Sequence, residues 1–162
     1  MKRIFVILLS VCLLCGTLAG CGGDGAGKAN YNVNDIASAL ESVASIENPI
    51  DITEDDLSYE FGVDMEQVAE FAGQKTGVAN TAGTVLVIKA NAGKASDVKT
   101  ALENYKNGLI AVSENYQSDF PDAYKQISDG RIVTKGDCVI LAIAGAGVEY
   151  TDVDTAVDEA LK

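Results

Sequence analysis

Thr81-Ala82-Gly83-Thr84-Val85-Leu86-Val87-Ile88 and Thr134-Lys135-Gly136-Asp137-Cys138-Val139-Ile140-Leu141 align without a gap at an offset of 53 residues. Each octet carries a glycine in third place, suited to a turn, and ends in an apolar run that reads as a buried strand. The first run continues to Ala90 and the second to Ala144, with Gly77 to Asn80 and Arg131 to Thr134 as their expected hairpin partners. After a shift of two residues, Ser96-Asp97-Val98-Lys99-Thr100-Ala101-Leu102 aligns with Thr151-Asp152-Val153-Asp154-Thr155-Ala156-Val157. Both segments read as an Ser/Thr N-cap followed by an amphipathic helix. The expectation is an α+β fold: a four-stranded antiparallel sheet from a duplicated β-hairpin–helix unit, both helices on one face, with additional N-terminal helices.

The strongest helical signal follows the first strand. Val98, Leu102, Tyr105, Leu109, Val112 and Tyr116 recur at spacings of 4, 3, 4, 3 and 4, one apolar stripe along a long helix, and its tyrosines read as core. Pro121 starts a short helix to about Ser128, and a terminal helix from Asp152 sets Val153, Val157 and Leu161 on one face. Upstream, Asn34 is expected to cap a helix to about Ile46, closed by Pro49. Asp64 is expected to open a second helix through Val68, Ala69, Phe71 and Ala72, ending near Gly73.

The first residues carry a different pattern. Lys2 and Arg3 precede the 12-residue apolar run Ile4 to Cys15. That length suits a signal peptide and falls short of the roughly 20 residues of a membrane-spanning helix. Leu18-Ala19-Gly20-Cys21 has the form of a lipobox, where a thiolate takes a diacylglyceryl group and the chain is cut between Gly20 and Cys21. Two acyl chains anchor stably where one does not. The expected organisation is residues 1–20 as lipoprotein signal peptide, 21–31 as lipidated cysteine and Gly-rich tether, and 32–162 as one extracytoplasmic α+β domain. Cleavage removes only Lys2 and Arg3 from 12 basic residues, leaving 10 against 24 acidic ones, a side-chain charge of −14. Cys12 and Cys15 leave with the signal and Cys21 carries lipid, so Cys138 is the one free thiol and no internal disulfide is expected.

Composition narrows the chemistry. The 162 residues contain no His and no Trp, and carry a net charge of −12. Without imidazole there is no His-based triad or His–zinc site, and the acidity argues against a nucleic-acid surface. Asp51, Glu54, Asp55 and Asp56 crowd four carboxylates into six residues and suggest a cation site. Yet an EF-hand loop beginning at Asp51 would need Gly in sixth place and Glu in twelfth, where the chain has Asp56 and Gly62. A solvated helix start accounts for the cluster more simply, and no metal site is assigned. Cys138 lies in an apolar strand with no base beside it and reads as a core thiol. Gly145-Ala146-Gly147 follows a strand but lacks the remaining residues of a phosphate loop. No catalytic residue is assigned.

Phe61-Gly62-Val63-Asp64 with Val68-Ala69-Glu70, then Val87-Ile88-Lys89-Ala90, then Gly136-Asp137-Cys138-Val139-Ile140-Leu141 resemble the DUF4358 family of uncharacterised bacterial lipoproteins. The resemblance covers about residues 32 to 161. It implies an extracytoplasmic lipoprotein at the cell membrane of a Gram-positive bacterium, and it implies no activity. The expected function is therefore a non-enzymatic, lipid-anchored binding or assembly domain. Its expected partners are the membrane, through the diacylglyceryl group on Cys21, and another envelope protein. The alternatives are an accessory lipoprotein capturing an ion or small ligand, and a hydrolase with a serine- or carboxylate-based site.

Overall fold

A computed structural model describes residues 31–162. The lipobox, the cleavage position at Gly20 and Cys21, and the tether up to residue 30 lie outside the described residues. In chain order the elements are α1 (Val33–Ala44), β1 (Pro49–Asp51), a π-helical turn (Asp56–Glu60), a 3-10 turn (Met65–Gln67), β2 (Val68–Thr76), β3 (Thr84–Ala90), α2 (Ala95–Glu114), α3 (Pro121–Asp129), β4 (Arg131–Lys135), β5 (Cys138–Ile143) and α4 (Tyr150–Ala160).

The sheet is antiparallel throughout, in the order β1-β2-β3-β5-β4. The two octets of the alignment form its centre. Val87 pairs with Ile140 and Leu86 with Leu141. Four residues of each central strand, Val85 to Ile88 and Val139 to Ala142, are at most 1 % exposed, because helices cover the sheet on both sides. Side chains alternate between two cores. Val85, Val87, Cys138 and Ile140 face α1 and α4, with Leu40, Val153 and Val157 above them. Leu86, Ile88, Val139 and Leu141 face α2, α3 and the π-helical turn, with Leu57, Phe61, Val98 and Leu102.

Several expectations are corrected. The sheet has five strands rather than four; the fifth, β1, is a three-residue edge strand with every residue exposed, too short and too wet to leave a pattern. The helix expected from Asp64 is only the 3-10 turn, where Asp64 accepts from the Glu66 amide at 2.9 Å. The residues beyond it form β2, so β2 rather than Gly77 to Asn80 is the hairpin partner of β3. Gly73 does not end a helix. It sits in β2 at φ +155°, opposite Leu86, where a Cβ would overlap the Val85 carbonyl oxygen. The helices following β3 and β5 lie on opposite faces, α2 against one core and α4 against the other. Neither begins at its expected cap: Lys94 and Glu149 stand there and make no side-chain cap bond. The cap of α1 is Asn32 rather than Asn34; its side chain accepts from the Asn34 and Asp35 amides.

Candidate functional site

The long apolar stripe leads to the site. At 1.5 Å per residue the 20 residues of α2 span about 30 Å, whereas β3 and β5, with seven and six residues, run about 20 Å. The helix therefore outruns the sheet. Val98 and Leu102 are fully buried, but Val112 is 62 % and Tyr116 is 53 % exposed. Tyr116, expected in the core, is thus corrected to a surface residue just beyond the helix. The chain then reverses, with the Asp119 and Phe120 amides donating to the Tyr116 carbonyl at 3.0 and 2.9 Å. Phe120, 40 % exposed, comes to lie beside the stripe before Pro121 opens α3.

Three large apolar side chains so placed make a patch rather than scattered surface residues. They line a groove of about 210 Å³ between α2, α3 and the Asn80–Thr81 turn, floored by Leu109, Ala123 and Ile127. A second cavity of about 500 Å³ adjoins it, sharing Asn80, Thr81, Phe120 and Ala123 as a common wall. Its other walls come from Ser45 to Glu47 after α1, from Asp119 and Asp122, and from Gly145 and Ala146.

The walls are held firmly. The Thr76 hydroxyl bonds the Glu47 carbonyl and the Thr81 hydroxyl, both at 2.9 Å, and the Gly77 amide donates to the Asn48 carbonyl at 3.0 Å. Gly145 donates to the Ala44 carbonyl at 2.7 Å, and only a residue without Cβ fits against the Ser45 backbone there. That close approach, not phosphate binding, accounts for Gly145. Tyr150 Oη donates to the Gln126 carbonyl at 2.6 Å and accepts from the Ala144 amide at 3.2 Å, fixing α3 against β5 and α4.

Its electrostatics are one-sided. Glu47, Asp119 and Asp122 border the second cavity, and no lysine or arginine lines either hollow. Ser113, the serine of the groove, donates to the Ile110 carbonyl at 3.1 Å, the ordinary back-bond of a helical serine. The chemistry on offer is apolar contact beside negative charge.

The carboxylates singled out from the sequence lie elsewhere. Asp51 is in β1 and accepts from Gln74 at 2.9 Å. Glu54 and Asp55 are exposed at the start of the helical turn. Asp56 accepts from the Thr53 amide and hydroxyl, both at 2.8 Å, and from Lys75 Nζ at 2.8 Å. The Lys75 bond, followed by the Thr53 amide, holds the Asp56 carboxyl down at about 2. Lys75 also pairs with Glu60, which accepts from Tyr105 Oη at 3.1 Å. Burial, with Glu60 beside it, raises the Tyr105 phenol. The group ties the π-helical turn to β2 and α2, and among the described residues no three of His, Cys, Asp and Glu are grouped to hold a metal ion. Asp152, Asp154, Asp158 and Glu159 are exposed on α4, and Arg131 forks onto Asp154 at 2.7 and 3.1 Å. Cys138 is 1 % exposed, its thiol pushed up to about 11 by burial and by Asp137.

The fold and site define a layered α+β domain with a helix end projecting beyond its sheet. The chain belongs to the DUF4358 family, a domain of unknown function, whose model matches residues 42–144. The match is narrower than the span read from motifs: it begins within α1 and stops before α4. No curated protein and no solved structure matches the chain. No helix among the described residues is long and apolar enough to cross a membrane.

Proposed function

We propose that the protein is a lipoprotein held at the outer face of the cytoplasmic membrane by a diacylglyceryl group on Cys21, and that its domain is a non-enzymatic module that docks another envelope protein. The lipobox and the apolar run before it support the anchor. The observation that carries the docking role is the projecting end of α2, where Val112, Tyr116 and Phe120 remain exposed on a groove between α2, α3 and the Asn80–Thr81 turn. The two β-hairpins are read as copies of one element, although the helices that follow them pack on opposite faces of the sheet. In both, equivalent strand residues face the same core, and Thr100 and Thr155 back-bond to Ser96 and Thr151 at equivalent places.

Two experiments on cells test this reading. A Cys21→Ser chain is expected to leave the membrane fraction; its retention there would refute the anchor. A photocrosslinking residue at position 116 is expected to yield an adduct with an envelope protein, and its absence would refute docking at this surface.

Cation capture is the second reading. Glu41 and Asp51 border a notch of about 420 Å³, and burial, then the Asp51 charge, raises the Glu41 carboxyl. A cation between them would relieve that repulsion. Calorimetric titration with Ca²⁺ before and after Asp51→Asn tests it; identical titrations would end it.

A further inference from the structure

We propose that the groove at the end of α2 takes a basic amphipathic helix of the partner protein, laid apolar side down. The proposal rests on the docking role and adds the partner's chemistry.

Leu109, Val112 and Tyr116 succeed one another at i, i+3 and i+7, an apolar ridge about 10 Å long, with Phe120 beside it. A ridge of that spacing meets the side-chain rows of another helix, whose own apolar face would fill the groove. The border decides the sign of the partner. Glu47, Asp119 and Asp122 surround the adjoining cavity, and among the described residues none of them forms an ion pair. Asp122 serves the first turn of α3. Among the described residues Glu47 and Asp119 have no ion-pair partner. The last turn of α2 contains no basic residue, although a helix C-terminus is itself partially negative. Lysines or arginines on the rim of an incoming helix would meet each of these charges.

Charge and placement favour a protein over a lipid surface. An anionic membrane would meet the same carboxylates and be repelled. The 12 residues of α1, about 18 Å, separate its start at Val33, next to the proposed tether, from the cavity wall at Ser45 to Glu47. The groove therefore sits at the end of α1 remote from the attachment point.

The test uses the full chain in nanodiscs of zwitterionic lipid. The probe is a fluorescent helical peptide of about 18 residues, roughly five turns, with leucines on one face and lysines on the other. Anisotropy corrected against empty nanodiscs is expected to show saturable one-to-one binding that weakens as salt rises. Val112→Ser with Tyr116→Ser is expected to weaken it about tenfold or more, and Asp119→Asn by a few-fold. Tyr59→Ser, altering a tyrosine 87 % exposed elsewhere, is expected to change nothing. The same peptide with glutamate for lysine is expected not to bind. Equal binding of the two peptides, or unchanged binding by the Val112/Tyr116 variant, would each overturn the proposal. Crosslinking from position 116 keeps the two readings apart. An adduct in cells with no peptide binding refutes the basic partner alone; loss of both refutes docking itself.

Discussion

Val87 and Ile140, 53 residues apart in the chain, lie directly opposite one another in the β3–β5 pairing, both fully buried beneath α1 and α4. The sequence offset and the sheet register coincide at this pair. It is the centre of the fold, where burial is complete and collapse around a lost side chain is hardest. Ile140→Ala is expected to cost about 2–5 kcal/mol. Because the two side chains share one face, adding Val87→Ala should give a non-additive double-mutant cycle. Urea denaturation of the single and double variants measures both, and additivity would show that the pair does not act as a unit.

Gly73 tests the close approach of β2 to β3. Alanine there meets both a positive φ and the Val85 backbone, so Gly73→Ala is expected to cost at least about 2 kcal/mol. Gly136, at φ +62° with open space where a Cβ would go, should lose only about 1 kcal/mol as alanine. Thermal melts of the two variants check the order; equal losses would remove the steric argument.

Asp56 and Lys75 make stability pH-dependent. The Asp56 carboxyl is lowered from 3.8 to about 2 in the folded chain. Its contribution is therefore complete above about pH 4 and is lost as pH falls toward 2. At Lys75, burial pulls the ammonium down but the bonds to Asp56 and Glu60 outweigh it, so its contribution fades only in strong alkali. Lys75→Met is expected to lower Tm at neutral pH and to flatten the loss of Tm between pH 4 and 2. Melts across that range decide the matter: an acid limb as steep as the parent's would contradict the Lys75–Asp56 bond.

Cys138 should be inert while the domain is folded. Its thiol is buried and raised to about 11, so almost no thiolate exists at pH 7. Iodoacetamide followed by peptide mass mapping is expected to leave Cys138 unmodified in native buffer and to label it in urea. Fast native labelling would show an open strand β5 instead of a packed one.

What could be read from the chain follows from how each element buries its side chains. β3 and β5 are legible because Val85 to Ile88 and Val139 to Ala142 are covered on both faces and so are continuously apolar. That same continuity hides which face a neighbouring helix takes, so the sequence alone sets α4 beside α2, whereas the two pack on opposite faces. β2 is half-buried, and its Val68, Phe71 and Ala72 fall at spacings of three and four, indistinguishable by period from a helix face. β1 has no buried residue at all. The stripe on α2 was legible as apolar, but periodicity says nothing of what lies opposite. That Val112 and Tyr116 have no sheet beneath them depends on the helix outrunning strands of seven and six residues. The acidic border needed the fold as well, since Glu47 and Asp119 are 72 residues apart.

The most direct measurement is photocrosslinking in intact cells from position 116, with position 59 as a still more exposed tyrosine site on another part of the surface. Docking at the end of α2 is expected to give one discrete adduct from position 116, none from position 59, and a weakened adduct when Asp119→Asn is added. Equal adducts from both positions, or none from position 116, would contradict it.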